Sequence, residues 1–517
     1  MTIQISDTVN VDVTIVGGGP TGLLTGYLAQ RLGVNVLILD SKEASLVVGR
    51  ADALNARTQQ NLELVGILDE LLPEGITCNT SSTFANGQFT SRQSHWWNSL
   101  PYTYRKNFLM LGQPLVEAAL SSRLGASVCY NEPVTSIHED ADSVTVTTAA
   151  GRTIRSRYAV AADGARSTAR TQLGIDFTGT KPGMRWAVLD AFIDTDFPVC
   201  NEIVTFQLNG QSRVSWIPRE RELGRFYVLL EDGVEITEEN AKVSIREHMA
   251  PYRVEFTRTE WFIKERIAST FVTKKGHGRI LLGGDAAHIH SVNGGQGLNT
   301  GIADAMALAW RLAAITTNPD LSPSATTALI KSYDIERRKT AEGVIGVAAV
   351  LVRDTIQLAK KYVGTIEKNA GYITGMGVAY AGMESPLVSE GEAGVWVGGV
   401  RCPDLYMMPA GQERAKRVYA LTSGQYGRFL VFKVGGKKLT GDLPLGSKRV
   451  RVFHVLPVGV EVPPATEKDI VAETFSGDWV KASDDYTVVV RPDMYTGYVA
   501  KVSDDSEGWR EYLQRYI

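Results

Sequence analysis

The chain has 517 residues, which exceeds the size of one ordinary hydrophobic core and predicts two or three domains. Its formal net charge is -3 and the charged residues are spread along the sequence, so no basic face predicts nucleic acid as a partner. The cysteines lie far apart without a C-x-x-C pair, which argues against a metal site and against a dithiol redox centre; they are Cys78, Cys129, Cys200 and Cys402.

The N-terminus shows no targeting signal. Residues 1–10 carry neither the basic start nor the apolar core of a secretory signal peptide. The most apolar later stretch, residues 343–351, is far shorter than a bilayer span. We therefore expect a cytoplasmic protein with no membrane partner.

Residues 11–40 have the pattern of a strand, a glycine-rich turn, a helix and a second strand. A short apolar run precedes Gly17, Gly19 and Gly22, which have the G-x-G-x-x-G spacing. The first glycine permits the bend, the second lets the backbone approach a pyrophosphate, and the third lets the helix pack closely. Asp40 ends the second strand, where an acid receives a ribose hydroxyl. Together these features predict dinucleotide binding rather than a merely structural turn.

A loop containing Arg50 and Asp52 precedes a segment with apolar residues at helical spacing. Asp52 thus lies at the start of a predicted helix, and two interpretations stay open: it caps the helix, or it is a catalytic carboxylate. Residues 78–105 are polar and aromatic. Such a stretch suits an aromatic ligand pocket, although core packing or a domain seam is the commoner use of any one ring.

A strand that ends near Gln113 leads into a predicted helix over residues 114–124, which begins with a proline. A hairpin follows, and the apolar residues 158–162 then lead to Asp163 and a glycine. A strand followed by an acid and a glycine is typical of a cofactor-binding corner.

Residues 177–271 contain many short alternating segments, which predict an antiparallel sheet laid over the nucleotide domain. Arg219 and Tyr227 fall on neighbouring strands of a predicted hairpin, so both can face one cavity. Residues 220–222 between these strands are predicted to form a solvated charged turn.

The second strong signal begins with a buried strand over residues 280–282 that ends at Asp285. A glycine turn with Gly295 and Gly297 then opens a helix that carries Asn299. A glycine-rich turn at a helix N-terminus provides a second site for negative charge. No second complete fingerprint follows a strand, so we expect only one tightly held dinucleotide.

The remainder of the chain predicts helices over residues 325–339 and 342–362, then a glycine-rich linker over 364–398. Strand-like segments and a short helix at 508–516 suggest a separate α/β domain over 399–517. Because this domain has no C-x-x-C pair, it does not perform thiol exchange.

Three segments together, residues 17–40, 163–167 and 284–299, resemble the fingerprints of the class A, single-component FAD-dependent aromatic hydroxylases. The resemblance covers residues 10 to about 345. Shorter motifs resemble the phenol hydroxylase branch, which carries an extra thioredoxin-like domain; they are G-R-A-D-A-L from Gly49, I-P-R-E from Ile217, R-F-Y from Arg225 and V-R-P-D-x-Y-x-G from Val490.

The resemblance implies an α/β and α+β fold with a Rossmann-like FAD-binding domain, an antiparallel-sheet substrate domain and a C-terminal thioredoxin-like domain. The implied boundaries are 1–80, 105–175 and 275–363 for the FAD-binding domain, 81–104 and 176–274 for the substrate-binding domain, 364–398 for the linker, and 399–517 for the thioredoxin-like domain.

The resemblance also implies roles for single residues. Asp52 and Tyr227 would contact the phenolic hydroxyl, with Arg219 beside them as the third catalytic residue, and no metal takes part. Val292 stands where the family usually has proline, and Arg50 where the branch often has glutamine, so simple phenol is not the expected substrate. The implied cofactor-binding residues are Gly17, Gly19, Gly22, Asp40, Arg50, Gln113, Asp163, Arg225, Asp285, Gly295, Gly297, Leu298 and Asn299.

The implied activity is hydroxylation of a small phenolic substrate, ortho to its hydroxyl, through a flavin C4a-hydroperoxide. The cofactor is FAD, the reductant NADPH or NADH, the oxidant O₂, and the expected assembly a homodimer. Three different functions stay open beside it. One is a flavin-dependent halogenase, although the W-x-W-x-I-P pattern of that group is R-V-S-W-I-P here. The second is a dearomatising or Baeyer–Villiger-type monooxygenase, and the third is a non-catalytic FAD-fold interaction protein.

Overall fold

A computed structural model of the chain describes residues 8–516 except 181–184, 199–201, 210, 232, 268–269, 273–275, 290–294, 356–358, 445–447, 463, 465 and 502–506. Val292, named above for its departure from the family pattern, lies outside the described residues, as does Cys200. Up to residue 180 the elements are β1 (Thr8–Val16), α1 (Pro20–Arg31), β2 (Val36–Leu39), β3 (Ala53–Leu54), α2 (Ala56–Val65), α3 (Leu68–Leu71), β4 (Ile76–Cys78), β5 (Thr80–Ala85), β6 (Gln88–Gln93), β7 (Phe108–Met110), α4 (Gln113–Leu124), β8 (Val128–Cys129), β9 (Val134–Glu139), β10 (Val144–Thr148), β11 (Thr153–Ala161), α5 (Thr168–Gln172) and β12 (Thr178–Thr180).

The N-terminal part contains the predicted parallel sheet. Strand β1 lies between β11 and β2 and runs parallel to both, and its last four residues are buried. Val16, the last residue of β1, is in register with Leu39 on one side and Ala161 on the other. Parallel strands end at one edge of a sheet, so the glycine turn, Asp40 and Asp163 meet at that edge.

The middle of the chain forms the predicted antiparallel sheet. Its seven strands have the order β17-β13-β16-β15-β14-β5-β6, in which the β14–β5 pair is parallel. One face packs against α6 through apolar residues such as Phe206, Phe226 and Val228. The elements are β13 (Arg185–Thr195), β14 (Glu202–Leu208), β15 (Gln211–Pro218), β16 (Gly224–Leu229), α6 (Glu238–Met249), β17 (Val254–Ile267), β18 (Thr270–Val272), β19 (Gly276–His277), β20 (Ile280–Leu282) and β21 (His288–Ile289).

The last third of the chain holds long helices and a mixed sheet of seven strands, ordered β25-β24-β28-β27-β26-β29-β30. Its elements are α7 (Gln296–Thr317), α8 (Pro323–Thr355), α9 (Ala359–Lys368), α10 (Ala370–Ile373), β22 (Glu392–Ala393), β23 (Trp396–Val397), β24 (Tyr406–Pro409), β25 (Lys416–Arg417), α11 (Val418–Leu421), β26 (Phe429–Gly435), β27 (Val450–Pro457), β28 (Glu473–Gly477), β29 (Asp485–Val490), β30 (Thr496–Lys501) and α12 (Gly508–Tyr516).

The predicted break between residues 339 and 342 is wrong, because α8 runs through it as one helix. Residues 339–342 contain no proline or glycine that would end a helix. Thr340 instead donates its hydroxyl to the carbonyl of Glu336 within the helix, at 2.6 Å.

The C-terminal sheet shares a core with the nucleotide-binding part. The rings of Trp310 on α7 and Phe429 on β26 meet edge to face at 5.7 Å. The Tyr426 hydroxyl donates to the Met306 carbonyl at 2.7 Å and accepts the Trp310 N–H at 3.1 Å. The intervening segment 364–398 is packed as well, since Trp396 is fully buried. The α/β and α+β fold is confirmed, whereas the thioredoxin-like shape and the domain boundaries stay predictions.

Two further observations concern the described part of the chain. None of its helices combines the length and the apolar character that crossing a membrane requires. Within the same residues, no group of three or more His, Cys, Asp and Glu side chains is arranged to hold a metal ion.

Candidate active site

The glycine turn after β1 leaves a space at the start of α1. A Cβ on Gly17, whose φ is 107°, would lie 2.2 Å from the Ala162 carbonyl oxygen, and one on Gly22 would lie 1.9 Å from the Gly17 oxygen. Gly19 differs, because its φ is -85° and a Cβ there would meet nothing within 4 Å. No side chain caps α1, and its first turn has no acidic residue. The free N–H groups therefore face a space that suits an anion.

Asp40 lies beside this turn and is held by backbone groups. Its Oδ2 accepts the Gly18 N–H at 2.5 Å and its Oδ1 accepts the Lys42 N–H at 2.7 Å. The side chain is only 6% exposed. Each carboxylate oxygen keeps a lone pair, so Asp40 can still accept the predicted ribose hydroxyl.

The loop that carries Arg50 is fixed from two sides. Gln113 at the start of α4 accepts the Ala51 N–H through its side-chain oxygen at 3.3 Å and donates its amide to Glu117 at 2.7 Å. Arg50 has a positive φ of 67°, and its carbonyl accepts a hydrogen bond from the guanidinium of Arg225. Both predicted cofactor residues, Arg50 and Gln113, thus also order the loop that leads to Asp52.

The N-terminus of α7 is a second site without a side-chain cap. Its N-cap is Gly295, with a φ of 60°, and its first turn has no acidic residue. Asn299 accepts the Asn55 N–H at 2.9 Å and donates to the carbonyls of Ala53 at 2.9 Å and Gly295 at 2.7 Å. The Asn299 side chain therefore joins the glycine turn to the segment after Asp52.

Two further predicted residues lie at the same edge of the parallel sheet. Asp285 is exposed, and a Cβ on Gly297 would lie 3.9 Å from its Oδ1, so Asp285 borders the first turn of α7 next to Leu298. Asp163 accepts the Ala169 N–H at 3.2 Å through Oδ2, while its buried Oδ1 has no hydrogen-bond partner. Uncapped helix starts and an orphaned acceptor fit a bound dinucleotide.

A cluster of buried charges lies next to the loop that carries Arg50 and Asp52. Arg225 on β16 donates to both oxygens of Asp190 on β13, each at 2.6 Å, because these residues are direct partners in the sheet. Arg219 donates to both oxygens of Glu220, at 2.8 and 2.6 Å. Asp52 approaches this cluster from its loop, with Oδ2 at 3.4 Å from Arg225 Nη1.

Ion pairing favours the charged forms of Arg219, Glu220 and Arg225. Burial by itself lowers the pKa of Arg225, but Asp52 and Asp190 outweigh it, so the pKa is raised above its usual value. Burial likewise opposes the charge of Arg219, and Glu220 outweighs it and raises the pKa. For Glu220, burial raises the pKa, and Arg219 reverses this effect, so the pKa is lowered.

Of the carboxylates Asp52, Asp190 and Glu220, Asp52 is the one that forms no two-point ion pair with an arginine in the part of the chain that the structure describes. Arg225 and Arg219 each form a two-point pair with another acid, whereas among the described residues Asp52 has a 3.4 Å contact to Arg225 and a long 3.5 Å contact from the Tyr227 hydroxyl. The cap interpretation of Asp52 is wrong, because the N-cap of α2 is Asn55, which accepts the Thr58 N–H at 2.9 Å. Asp52 is 3% exposed and has spare accepting capacity.

Two residues of the cluster are not predicted from the sequence. The solvated turn is wrong for Glu220, which is 5% exposed and accepts the Gly112 N–H at 3.1 Å. Arg221 and Glu222 beside it are exposed as predicted. Asp190 is the second such residue, although a lone acid inside the apolar run A-V-L-D-A-F is a signal of a buried ion pair.

The face of the antiparallel sheet that carries Tyr227 has a row of half-buried side chains. Tyr227 is in register with Val188 on one side and with Ser215 on the other. Tyr227 and Ser215 are half-buried, as are Ile217 and Ile203 on the same face, whereas the α6 face is buried. A row of partly accessible side chains next to Asp52 is what a pocket for an organic substrate requires.

Comparisons with known proteins identify the family of this chain and several relatives. The family model described as "FAD binding domain" matches residues 10–348. A phenol 2-monooxygenase from Aspergillus fumigatus is 31% identical over 365 residues, which are 65% of this chain and 59% of that relative. A rifampicin monooxygenase from Streptomyces venezuelae is 31% identical over 343 residues, which cover 65% of this chain and 69% of the relative.

The solved structure of the anhydrotetracycline hydroxylase OxyS from Streptomyces rimosus has the same fold. The TM-score is 0.71 at 24% identity, and the match covers 98% of this chain and 99% of that one. By contrast, the match to the phenol 2-monooxygenase spans less than two thirds of that relative's length.

Proposed function

This chain belongs to the family described as "FAD binding domain", and from this premise we propose that it is an FAD-dependent monooxygenase that hydroxylates a phenolic ring. The observation that carries the proposal is Asp52, a buried carboxylate with spare accepting capacity beside Tyr227. The relatives named phenol 2-monooxygenase and rifampicin monooxygenase support the reaction class.

Bound FAD would supply the oxygenation chemistry, with NADPH or NADH as the reductant and O₂ as the oxidant. The start of α1, with Gly17, Gly19 and Gly22, would hold the pyrophosphate, and Asp40 a ribose hydroxyl. Asp163 and Asp285 border the same edge of the sheet. The start of α7 would stabilise negative charge on the reduced flavin through the positive end of the helix.

The chain's own residues would prepare the substrate. Phenolate is a better carbon nucleophile than neutral phenol, so Asp52 would take the phenolic proton, directly or through the Tyr227 hydroxyl. A general base of this kind contributes about 10²–10⁴-fold to the rate. Arg219, whose Nη1 has no hydrogen-bond partner, would donate to the resulting oxygen. Arg225, whose Nη1 lies 3.4 Å from Asp52 Oδ2, would help to hold that carboxylate in place.

The test of this proposal is oxygen consumption coupled to product formation. The purified protein is expected to be yellow, to oxidise NADPH or NADH faster when a phenol is added, and to yield a product heavier by one oxygen atom. A colourless protein, or one whose NAD(P)H oxidation no phenol stimulates, would favour a non-catalytic interaction protein. A halogenated product would indicate a flavin-dependent halogenase, and a dearomatised or ring-opened product would indicate a dearomatising or Baeyer–Villiger-type monooxygenase.

Gly19→Ala separates FAD binding from folding. The backbone conformation of Gly19 tolerates alanine and the space around its Cβ position is open, so we expect an unchanged thermal midpoint for the flavin-free protein. The added methyl group would stand where the pyrophosphate approaches, so we expect the bound flavin fraction to fall at least tenfold. Gly346→Ala on α8, also with open space at its Cβ position, is the matched control and should keep its flavin.

We also propose a homodimer, which the resemblance implies, and a cytoplasmic location, which is the expectation from the sequence. Sedimentation velocity at micromolar concentration is expected to give a mass near twice 56.4 kDa. A monomer across that range would remove the homodimer from the proposal without affecting the catalytic assignment.

A further inference from the structure

Trp186 on β13 carries a buried hydrogen-bond donor. Its side chain is 2% exposed, and its indole Nε1 has no hydrogen-bond partner among the residues that the structure describes. Burial of an N–H group without a hydrogen bond is unfavourable, so such groups are rare in native proteins and call for an explanation. A ligand that accepts this hydrogen bond is one such explanation.

The strand register places Trp186 on the face of the sheet that carries Tyr227. Successive side chains of a strand point to opposite faces, so Trp186, Val188 and Asp190 share one face of β13. That face carries Tyr227, the direct partner of Val188, and Arg225, the direct partner of Asp190. Trp186 is therefore the diagonal neighbour of Tyr227, and diagonal neighbours lie roughly 7–8 Å apart, within reach of an aromatic side chain.

Along the strands, Trp186 lies on the side of Tyr227 that is away from Asp52. Asp190 and Arg225 mark the end of the face that meets the loop of Arg50 and Asp52. Trp186 lies two residues further along β13 on the other side of Val188, opposite Leu229. A ring whose hydroxyl meets Asp52 thus extends past Val188 towards the indole N–H.

We propose that Trp186 is a specificity-determining residue that donates its indole N–H to a carbonyl oxygen on the phenolic substrate, at the side of the ring away from the hydroxyl. The proposal rests on the proposed function and names its substrate class, a phenol that carries a ketone or aldehyde substituent or a fused carbonyl-bearing ring. The surrounding Val188 and Leu229 are buried and apolar, which strengthens a hydrogen bond made there.

The experiment compares pairs of phenols that differ in the acceptor alone. 3-Hydroxyacetophenone and 4-hydroxyacetophenone carry a carbonyl oxygen, and 3-isopropylphenol and 4-isopropylphenol replace it with a methyl group of similar size. For each pair, the ratio of kcat/KM for the acetyl compound to that for the isopropyl compound is measured per bound flavin. Dissociation constants from the absorbance change of the oxidised flavin give the same ratio without turnover.

Trp186→Phe keeps an aromatic ring and removes the N–H group. We expect the acetyl-to-isopropyl ratio of at least one pair to fall about fivefold to tenfold in this variant, the range expected for one neutral hydrogen bond. Trp186→Leu also lacks the donor and should lower the acetyl-to-isopropyl ratio as well. It replaces Trp186→Phe in the experiment if the phenylalanine variant binds no flavin.

Trp216→Phe is the matched control. Trp216 also has a buried indole N–H without a partner, but it stacks on Phe226 at 5.6 Å on the α6 face of the sheet. Its substitution should leave the ratio unchanged. An unchanged ratio in both Trp186 variants, with phenols still hydroxylated, would overturn this inference and leave the proposed function intact. A wild-type protein that oxidises none of the four phenols would overturn both.

Discussion

Asp52→Asn is expected to lower the yield of hydroxylated product by about 10²–10⁴-fold while the protein continues to oxidise NAD(P)H. Asparagine fills the same space but cannot take a proton. The substrate would stay a neutral phenol, a poor carbon nucleophile, and the reducing equivalents would leave as hydrogen peroxide. The measurement is product and peroxide per NAD(P)H consumed, at matched flavin content.

Two variants make this prediction specific. Tyr227→Phe removes the hydroxyl that lies 3.5 Å from Asp52 and keeps the carboxylate. If Tyr227 only relays the proton, its loss should cost less product than the loss of Asp52. Asp404→Asn alters a buried aspartate that pairs with Arg417 rather than with this cluster, and it should stay coupled. An unchanged product yield in Asp52→Asn would show that Asp52 is not the base.

The nucleotide site could be predicted from the sequence because its signals are local. Gly17, Gly19 and Asp40 belong to one strand–turn–helix–strand unit, and each signal stands at a fixed distance from the last. The structure adds that Gly17 is required by its contact with Ala162 and that Gly19 is not required by the fold itself. Spacing alone does not separate these two reasons for a glycine.

The buried cluster could not be predicted in the same way, because its members meet through strand pairing. Asp190 and Arg225 are 35 residues apart and become neighbours only in the register that pairs β13 with β16. Glu220 lies in a charged turn and accepts a hydrogen bond from the N–H group of Gly112, which is 108 residues away in the sequence. Local composition favours solvent exposure for such a residue, and tertiary contacts decide otherwise.

Asp52 shows a third kind of limit. A cap and a catalytic base call for the same residue type at the start of a helix, so the sequence leaves both open. Asn55 has the same capping ability three residues later and forms the cap. The choice between the two depends on where the backbone enters the helix, which a propensity argument does not fix to within a residue or two.

A second buried charge cluster joins the C-terminal sheet to the nucleotide-binding part. Arg491 donates to both oxygens of Glu336 on α8, at 2.6 and 2.9 Å, and to both oxygens of Asp493, at 3.0 and 2.6 Å. Arg311 on α7 also donates to Glu336, at 2.7 Å, and to Asp493, at 3.3 Å. Two guanidiniums thus balance two carboxylates, and all four side chains are almost fully buried.

Arg491→Met is therefore expected to lower the free energy of unfolding by about 3–5 kcal/mol, because two buried carboxylates then share the single guanidinium of Arg311 and one negative charge is left uncompensated. Lys437→Met is the control beside the same sheet. Lys437 is 74% exposed and pairs with Asp485 on β29 at 3.0 Å, and exposed pairs of this kind contribute only about 0–1 kcal/mol. Chemical denaturation of both variants at neutral pH gives the comparison.

The pH dependence of this loss tests its cause. In the native protein burial raises the pKa of Glu336, but Arg491 and Arg311 outweigh it, so the pKa is lowered from its usual 4.5. A lowered folded-state pKa contributes stability that is present above pH 4.5 and is lost as the pH falls through the folded-state value.

In Arg491→Met, less positive charge opposes the effect of burial, so the pKa of Glu336 or Asp493 rises. That carboxylate therefore takes up a proton at a higher pH in the variant than in the native protein, and protonation removes the uncompensated charge. The difference between native protein and Arg491→Met should then be largest near pH 7 and shrink as the pH falls below about 5. A difference that stays constant with pH would assign the loss to packing of the long side chain instead of to the buried charge.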